Sequence, residues 1–255
     1  MTPSRVKWVA PTVAVVAVLA VWQAACSFEV VPNYLLPSPV QVVQAMVDDF
    51  ELLMSHAWVT LAEALGGLAC GVSVGFLIAM AMDRFKVVDA ALSPLVTISQ
   101  TIPTVAIAPL LVLWLGYGMM PKVLLVALTT FFPITVSLAQ GFKSVDKDTI
   151  DLMRVMGAGW WKTFRFVKVP AAASYFFGGL RISATYAVVG AVVAEWLGGF
   201  EGLGVYMTRV RKSYAYDEMF AVIIMISALS LALMGAVKLL ERACMPWQRA
   251  IKKRG

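Results

Sequence analysis

Apolar residues in this chain gather into six runs separated by short polar connections. The runs cover roughly Val9–Phe28, Val59–Met82, Val88–Leu115, Lys122–Phe142, Ala171–Leu197 and Met219–Leu240. Each has about the ~20 residues that a helix needs to cross a ~30 Å hydrocarbon core. A helix closes its own backbone hydrogen bonds, whereas an open sheet edge in lipid does not. The pattern predicts an all-α polytopic membrane protein, one transmembrane domain over residues 1–255 with about six spans.

Composition agrees with that pattern. Of the 255 residues, 60% are hydrophobic and 14% charged, against about 25% charged in a soluble domain. The first run follows Arg5 and Lys7, as a signal peptide would. It is long for one, and the sequence QAAC places Gln23 where a lipoprotein cleavage site takes an aliphatic residue, so we read an uncleaved first helix. Cys26, Cys70 and Cys244 lack metal-type spacing. His56 is the single histidine, which excludes a histidine metal cluster.

The net charge of +6 is a matter of topology rather than of nucleic-acid binding. Counted by connection, fifteen Lys and Arg fall on one side of six spans and four on the other, namely Lys122, Arg209, Arg211 and Lys212. Basic connections stay in the cytoplasm, which predicts two cytoplasmic termini. The first outer connection, Glu29–Trp58, has no Lys or Arg; within it, Ser38 and Pro39 are placed to cap and start a short surface helix.

The third run, LSPLVTISQTIPTVAIAPLLVLWLGYG, carries Pro94, Pro103 and Pro109, with Ser99, Gln100, Thr101 and Thr104 among them. Proline frees backbone groups that lipid does not satisfy, so the run reads either as a kinked packing helix or as the lining of a substrate path. Intramembrane charges are the other path candidates: Glu63, Arg181 and Glu195. The two readings of these are partners that fix helix packing, and a wet cavity whose outer end is acidic through Glu63 and Glu195. Lys238 and Glu241 sit where they can snorkel.

The connection Asp151–Pro170, DLMRVMGAGWWKTFRFVKVP, is itself patterned. Ile150, Met153 and Met156 recur at helical spacing, widened by Leu152 and Val155. Gly157 can end that helix in the left-handed conformation. Trp160, Trp161, Phe164 and Val167 then line one face, with Lys162, Arg165 and Lys168 between, and Pro170 stops the piece. By periodicity this is either an amphipathic hairpin in the headgroups or a docking element for a cytoplasmic partner.

The same stretch resembles the cytoplasmic "EAA" loop of ABC-importer permeases: Asp151, Leu152 and Met153 at the acidic-Ala-Ala start, then Gly157, then Val169 and Pro170. Asp replaces Glu and Leu-Met replaces Ala-Ala; the glycine and proline hold. LLPSPVQVVQAM, QTIPTVAIAPLLVLWLGYG, FFPI, GLRIS and VVAEWLGG are similar, in order, to the nitrate, sulfonate and taurine class. The segment LWLGYGMMPKVLLVALTTFFPI most resembles members assigned to thiamine-precursor pyrimidines. The resemblance implies a type I importer permease in the bacterial cytoplasmic (inner) membrane, paired with a second, identical copy. It also implies ABC ATPase subunits, with their ATP and Mg, on the 143–170 loop, and an extracytoplasmic substrate-binding protein. Asp151, Met153, Gly157, Trp160, Trp161, Phe164 and Pro170 would form the ATPase-coupling surface. No GxxxxGK[ST] phosphate loop occurs in the chain, so nucleotide chemistry belongs to another subunit and this chain is no enzyme. The acidic mouth favours an amine-bearing pyrimidine over a sulfonate, taurine or nitrate. An ion-coupled secondary transporter would show inverted repeats, and none is visible. An intramembrane enzyme would need a catalytic constellation, which one histidine does not supply.

Overall fold

The computed structural model describes residues 3–28, 31–32, 35–99 and 101–246. Every regular element among them is helical: α1 Pro3–Ser27, α2 Pro39–Asp48, α3 Phe50–Arg84, α4 Lys86–Ser99, α5 Thr104–Leu115, α6 Met119–Lys143, α7 Lys147–Val155 and α8 Trp160–Thr163. A π-turn, Phe164–Lys168, then leads into α9 Val169–Leu197, α10 Leu203–Lys212 and α11 Tyr216–Cys244. Four segments are long and apolar enough to span a bilayer: α3, α6, α9 with its α8 lead-in, and α11; α5 and Thr12–Ser27 of α1 are shorter apolar pieces.

Helix α6 is the centre, held between α3 and α9. Gly67, Gly71 and Gly75 stand at four-residue intervals on α3, and each faces α6. A Cβ at Gly67 would strike Val126, one at Gly71 would strike Thr130, and one at Gly75 would come within 2.9 Å of the Phe131 carbonyl. On the other side Gly179 of α9 meets the Pro133 carbonyl and Ser137, and the Ser183 hydroxyl donates to the Thr130 carbonyl at 2.8 Å. Ala184, Ala187 and Ala191 are fully buried along the same seam. Lipid gives apolar helices no hydrophobic reason to associate, so close backbone approach through small residues supplies the contact energy.

The third apolar run is two helices rather than one kinked span. The chain leaves α4 after Ser99 and re-enters helix at Thr104, with Pro103 as the N-cap residue at φ −66°, ψ 116°. Pro103 has no N–H to donate and pushes the residue before it out of helical geometry. Pro94 and Pro109 stay inside their helices. At 1.5 Å per residue, α4 and α5 are about 21 and 18 Å long, so neither crosses the membrane alone.

Pro170 does not stop a helix either. It is the second residue of α9, directly after the π-turn, where the Val169 N–H reaches back to the Phe164 carbonyl. The wider turn relieves the clash that a proline ring makes with the carbonyl four residues earlier. The α2 start does follow the expected chemistry: Ser38 accepts from the Gln41 N–H, Gln41 accepts from the Ser38 N–H, and Pro39 opens the helix.

The seam is testable. Gly71→Leu must push Thr130 and the Ala127 carbonyl, 3.0 Å from the added Cβ, out of place; overpacking of this kind costs about 1–3 kcal/mol or more, read as a lower melting temperature in detergent. Gly178→Leu, on the same bundle but with nothing within 4 Å of the added carbon, should melt with the unmodified protein.

Candidate functional site

The break between α4 and α5 lies beside the middle turns of α6 and α9. Irregular backbone at membrane depth persists only where protein covers it or a wet cavity meets it. Here it borders a cleft of about 350 Å³, lined by Pro103 and Thr104 from the break, Thr129, Phe132 and Pro133 from α6, and Tyr186 from α9. Two aromatic rings, three hydroxyls and no ionised side chain face this space. Thr129 donates to the Val126 carbonyl of its own helix at 2.8 Å. The Thr104 and Tyr186 hydroxyls make no hydrogen bond among the described residues and remain available to a solute.

A second cleft of about 170 Å³ continues between α4 and α6 toward the α7 end, past Thr97, Thr135, Gln140 and Lys143. Thr129, Pro133, Val136, Gln140 and Lys143 recur at helical spacing on α6, so one face of this helix runs along both clefts.

Of the residues expected to line a path, Thr104 is in the first cleft and Thr101 is exposed beside it, its hydroxyl donating to the Ile98 carbonyl at 2.6 Å. Gln100 lies outside the described residues. Glu63, Glu195 and Arg181 line neither cleft. Arg181 is tied to Glu241 of α11 at 3.1 Å and to the Phe177 carbonyl. Glu63 and Glu195 are each 2% exposed; Glu195 lines instead a separate cleft of about 300 Å³ at the α10 end, with Tyr117, Val205 and Thr208.

These two carboxylates organise the α10 end. Lys122, the first-turn lysine of α6, is buried and meets Glu63 Oε1 at 2.6 Å. Glu63 Oε2 is buried without a hydrogen-bond partner. Glu195 caps α10 across the fold: its Oε2 accepts the Gly204 N–H at 2.5 Å, and its Oε1 accepts from the Thr60 hydroxyl at 2.7 Å. Thr60 in turn accepts the Leu203 N–H at 2.9 Å, and His56 Nδ1 accepts the Gly202 N–H at 3.0 Å. Three successive amides at a helix start are orphan donors, and side chains of α3 and α9 satisfy all three. Gly202 is required there: φ is +120° and a Cβ would run into the Glu195 carboxylate. His56 stacks on Tyr206, whose hydroxyl is 2.9 Å from Glu218 and 3.1 Å from Asp49. Burial, then the Glu218 carboxylate, push the Tyr206 phenol well above its ordinary pKa, so it stays protonated as a donor. In the sequence Lys122 opens an apolar run and adds to the charge count; its pairing with Glu63, fifty-nine positions away, has no local signal.

At the other end, α7 closes as its glycine requires. Gly157 has φ +77°, its N–H bonds the Arg154 carbonyl at 2.9 Å, and the Ala158 N–H bonds the Met153 carbonyl at 2.9 Å. This is the paired Schellman closure of a helix. Asp151 is exposed and pairs with Arg154 at 2.9 Å, and Met153 is half-buried. The expected single docking face beyond the turn is split. Phe164 is 2% exposed, packed on Phe76 and Phe142, and stacks on Trp160 at 4.9 Å. Trp160 donates to Asp83, which also binds Lys168 at 2.5 Å. Trp160 and Phe164 therefore anchor the loop to α3. The apolar surface left outward is Leu152, Val155, Met156, Trp161 and Phe166, with Pro170 exposed in the helix beyond.

Sequence and structure comparisons bear on the family and the fold. Residues 71–245 match the family described as "Binding-protein-dependent transport system inner membrane component". The chain is 38% identical to the formylaminopyrimidine transport permease protein ThiX of Halalkalibacterium halodurans, over 94% of this chain and 96% of that one. It is 29% identical to the putative aliphatic sulfonates transport permease protein SsuC of Bacillus subtilis, over 96% of this chain and 90% of that one. Its fold is that of a chain in the MetNI methionine ABC transporter, with TM-score 0.67, 19% identity, and coverage of 76% of this chain and 96% of that one.

Removing the Lys122 ammonium should leave Glu63 buried and unpaired. Lys122→Met is expected to lose about 3–5 kcal/mol, seen as a large drop in detergent melting temperature. Adding Glu63→Gln to it should restore most of the loss.

Proposed function

The chain belongs to the binding-protein-dependent inner membrane components, the permease subunits of ABC importers, and from that premise we propose that it carries a planar, amine-bearing heterocycle of the aminopyrimidine type. The observation that carries this reading is the mid-depth cleft: Phe132 and Tyr186 offer ring faces, Thr104 and Tyr186 offer free hydroxyls, and no fixed charge lines it. An aromatic solute stacks on such walls, and its ring nitrogens and amino groups take the hydroxyls as partners. The 38% identity to a formylaminopyrimidine permease supports the same class. A sulfonate carrier, the reading favoured by the likeness to SsuC, needs a cation in the path, and Arg181 is occupied by Glu241.

In this proposal two copies face each other across the clefts and an extracytoplasmic binding protein delivers the solute. ABC ATPases bind ATP and Mg and grip the exposed Leu152, Val155, Met156 and Trp161 at a cytoplasmic loop. Their closure moves α7, and the Trp160–Phe164 anchor passes the motion to α3 and α9. Both termini lie in the cytoplasm.

Uptake into cells expressing the complete transporter tests the substrate class. Thr104→Val and Tyr186→Phe should each lower aminopyrimidine uptake about 5- to 10-fold, the worth of one hydrogen bond to a solute. Unchanged aminopyrimidine uptake in both variants, or transport of alkyl sulfonates alone, would overturn the reading.

Coupling has its own test. Gly157 has φ +77° and open space around it, so Gly157→Val costs backbone strain of about 1–2 kcal/mol rather than a clash. The protein should insert and melt nearly as before while ATP-driven uptake falls by at least tenfold.

A further inference from the structure

The α7 end holds a further cleft, which shares only Trp161 and Phe164 with the expected ATPase-coupling surface. It measures about 340 Å³ and lies between the last turns of α3 and the π-turn, with Phe76 and Met80 on one wall and Trp161, Phe164, Phe166 and Val169 on the other. Its one charged lining group is Arg165. The volume falls within the ~300–1,000 Å³ of small-molecule sites.

The charges around it are unbalanced. Asp83 is neutralised by Lys168 and also takes the Trp160 N–H. Asp89 is neutralised by Lys143. Arg84 sits over the Phe85 and Trp160 rings. Arg165 and Lys162 form no hydrogen bond or ion pair among the described residues, and both are exposed. The depth is also defined. Phe76 and Met80 are eight and four residues before Arg84, about 12 and 6 Å deeper along α3. Apolar walls thus run inward from Arg165. Phe166, 67% exposed, and Trp161, 58% exposed, flank the opening.

We propose that this cleft binds one anionic phospholipid of the adjacent leaflet, with an acyl chain between Phe76, Met80 and Phe166 and the phosphate on Arg165 and Lys162. A basic side chain near a charged membrane surface attracts anionic lipid; here Arg165 lines an apolar slot, with exposed Lys162 three residues before it. The site sits where α3 meets the segment that carries α7, so an occupied slot stiffens the joint between the loop and the spans. Only the naming of the leaflet as cytoplasmic rests on the transporter's proposed orientation.

Native mass spectrometry of the full chain, released from detergent micelles doped with phosphatidylglycerol or phosphatidylcholine, reads the site without needing transport or orientation. The unmodified chain should retain one phosphatidylglycerol at least tenfold over phosphatidylcholine. Arg165→Gln should abolish that preference, whereas Lys238→Gln, an exposed charge on α11, should leave it intact. Phe76→Trp should fill the slot and expel both lipids, with melting temperatures checked to show that each variant is folded. Equal loss in Arg165→Gln and Lys238→Gln would mean unspecific charge attraction and overturn the proposal. Full competition by inorganic phosphate would show a phosphate site without an acyl chain and overturn it as well. Displacement of the lipid by the cognate ATPase would make the slot a protein contact, also against the proposal.

Discussion

Close approach of α3, α6 and α9 is the constraint on which the rest of this structure depends. Surrounded by lipid, these helices gain little from hiding apolar surface, because their solvent is equally apolar. What holds them is contact distance. Gly67, Gly71 and Gly75 remove side chains on one flank of α6, and Gly179 with the buried alanines of α9 does so on the other. Thr135 and Ser183 then bond backbone carbonyls across the seams. With two flanks of α6 committed, its remaining face, Thr129 to Lys143, turns toward α4 and α5. That is the face along which the clefts lie. Packing thus determines where the clefts open.

The two ends of the three-helix core are fastened differently. At the α10 end the fastening is a dense polar knot in which Glu195, Thr60 and His56 hold three consecutive amides of one loop. Disturbing one member exposes a buried donor or charge, so this end moves as a unit. At the α7 end the attachment is aromatic stacking, one ion pair at Asp83 and a π-turn. Such a joint transmits a push while leaving α7 itself outside the core, with no fully buried residue of its own. On the proposed reading, a rigid far end and a hinged near end suit a device driven from one side.

Much of this was legible in the residue pattern. The all-helical character, the Ser38–Pro39 start and the left-handed Gly157 all follow from local rules, and local rules are what a sequence displays. The errors share a cause as well. Pro103 was one of three prolines in a run, and which proline breaks the helix depends on the neighbours that line the gap. Trp160 and Phe164 fitted a docking face by spacing, but the acceptor that turns Trp160 inward is Asp83, seventy-seven positions away. Glu195 showed no partners in the sequence because Thr60 and Gly204 are supplied by other elements. The Gly67, Gly71, Gly75 interval was in plain view and needed only the helical period to be read as a packing stripe. Thr129 and Tyr186 carried no signal apart from the fold that brings them together.

The placement of the charges bears on what can pass. A carboxylate or guanidinium inside a bilayer is tolerated when a partner or the interface compensates it. Among the described residues those compensations lie toward the ends: Glu63 with Lys122 and Glu195 with the Gly204 amide and Thr60 near the α10 end, Arg181 with Glu241 near the other. The middle of the path is left with hydroxyls and rings. An anion crossing there would give up its hydration for no opposing charge, and two copies facing each other would double the deficit rather than repair it. A neutral or weakly basic heterocycle gives up far less, and it recovers part of that through stacking and hydroxyl contacts. On the proposed reading, selectivity therefore comes less from a dedicated recognition charge than from fixed charge being confined to the ends, where the fold already requires it.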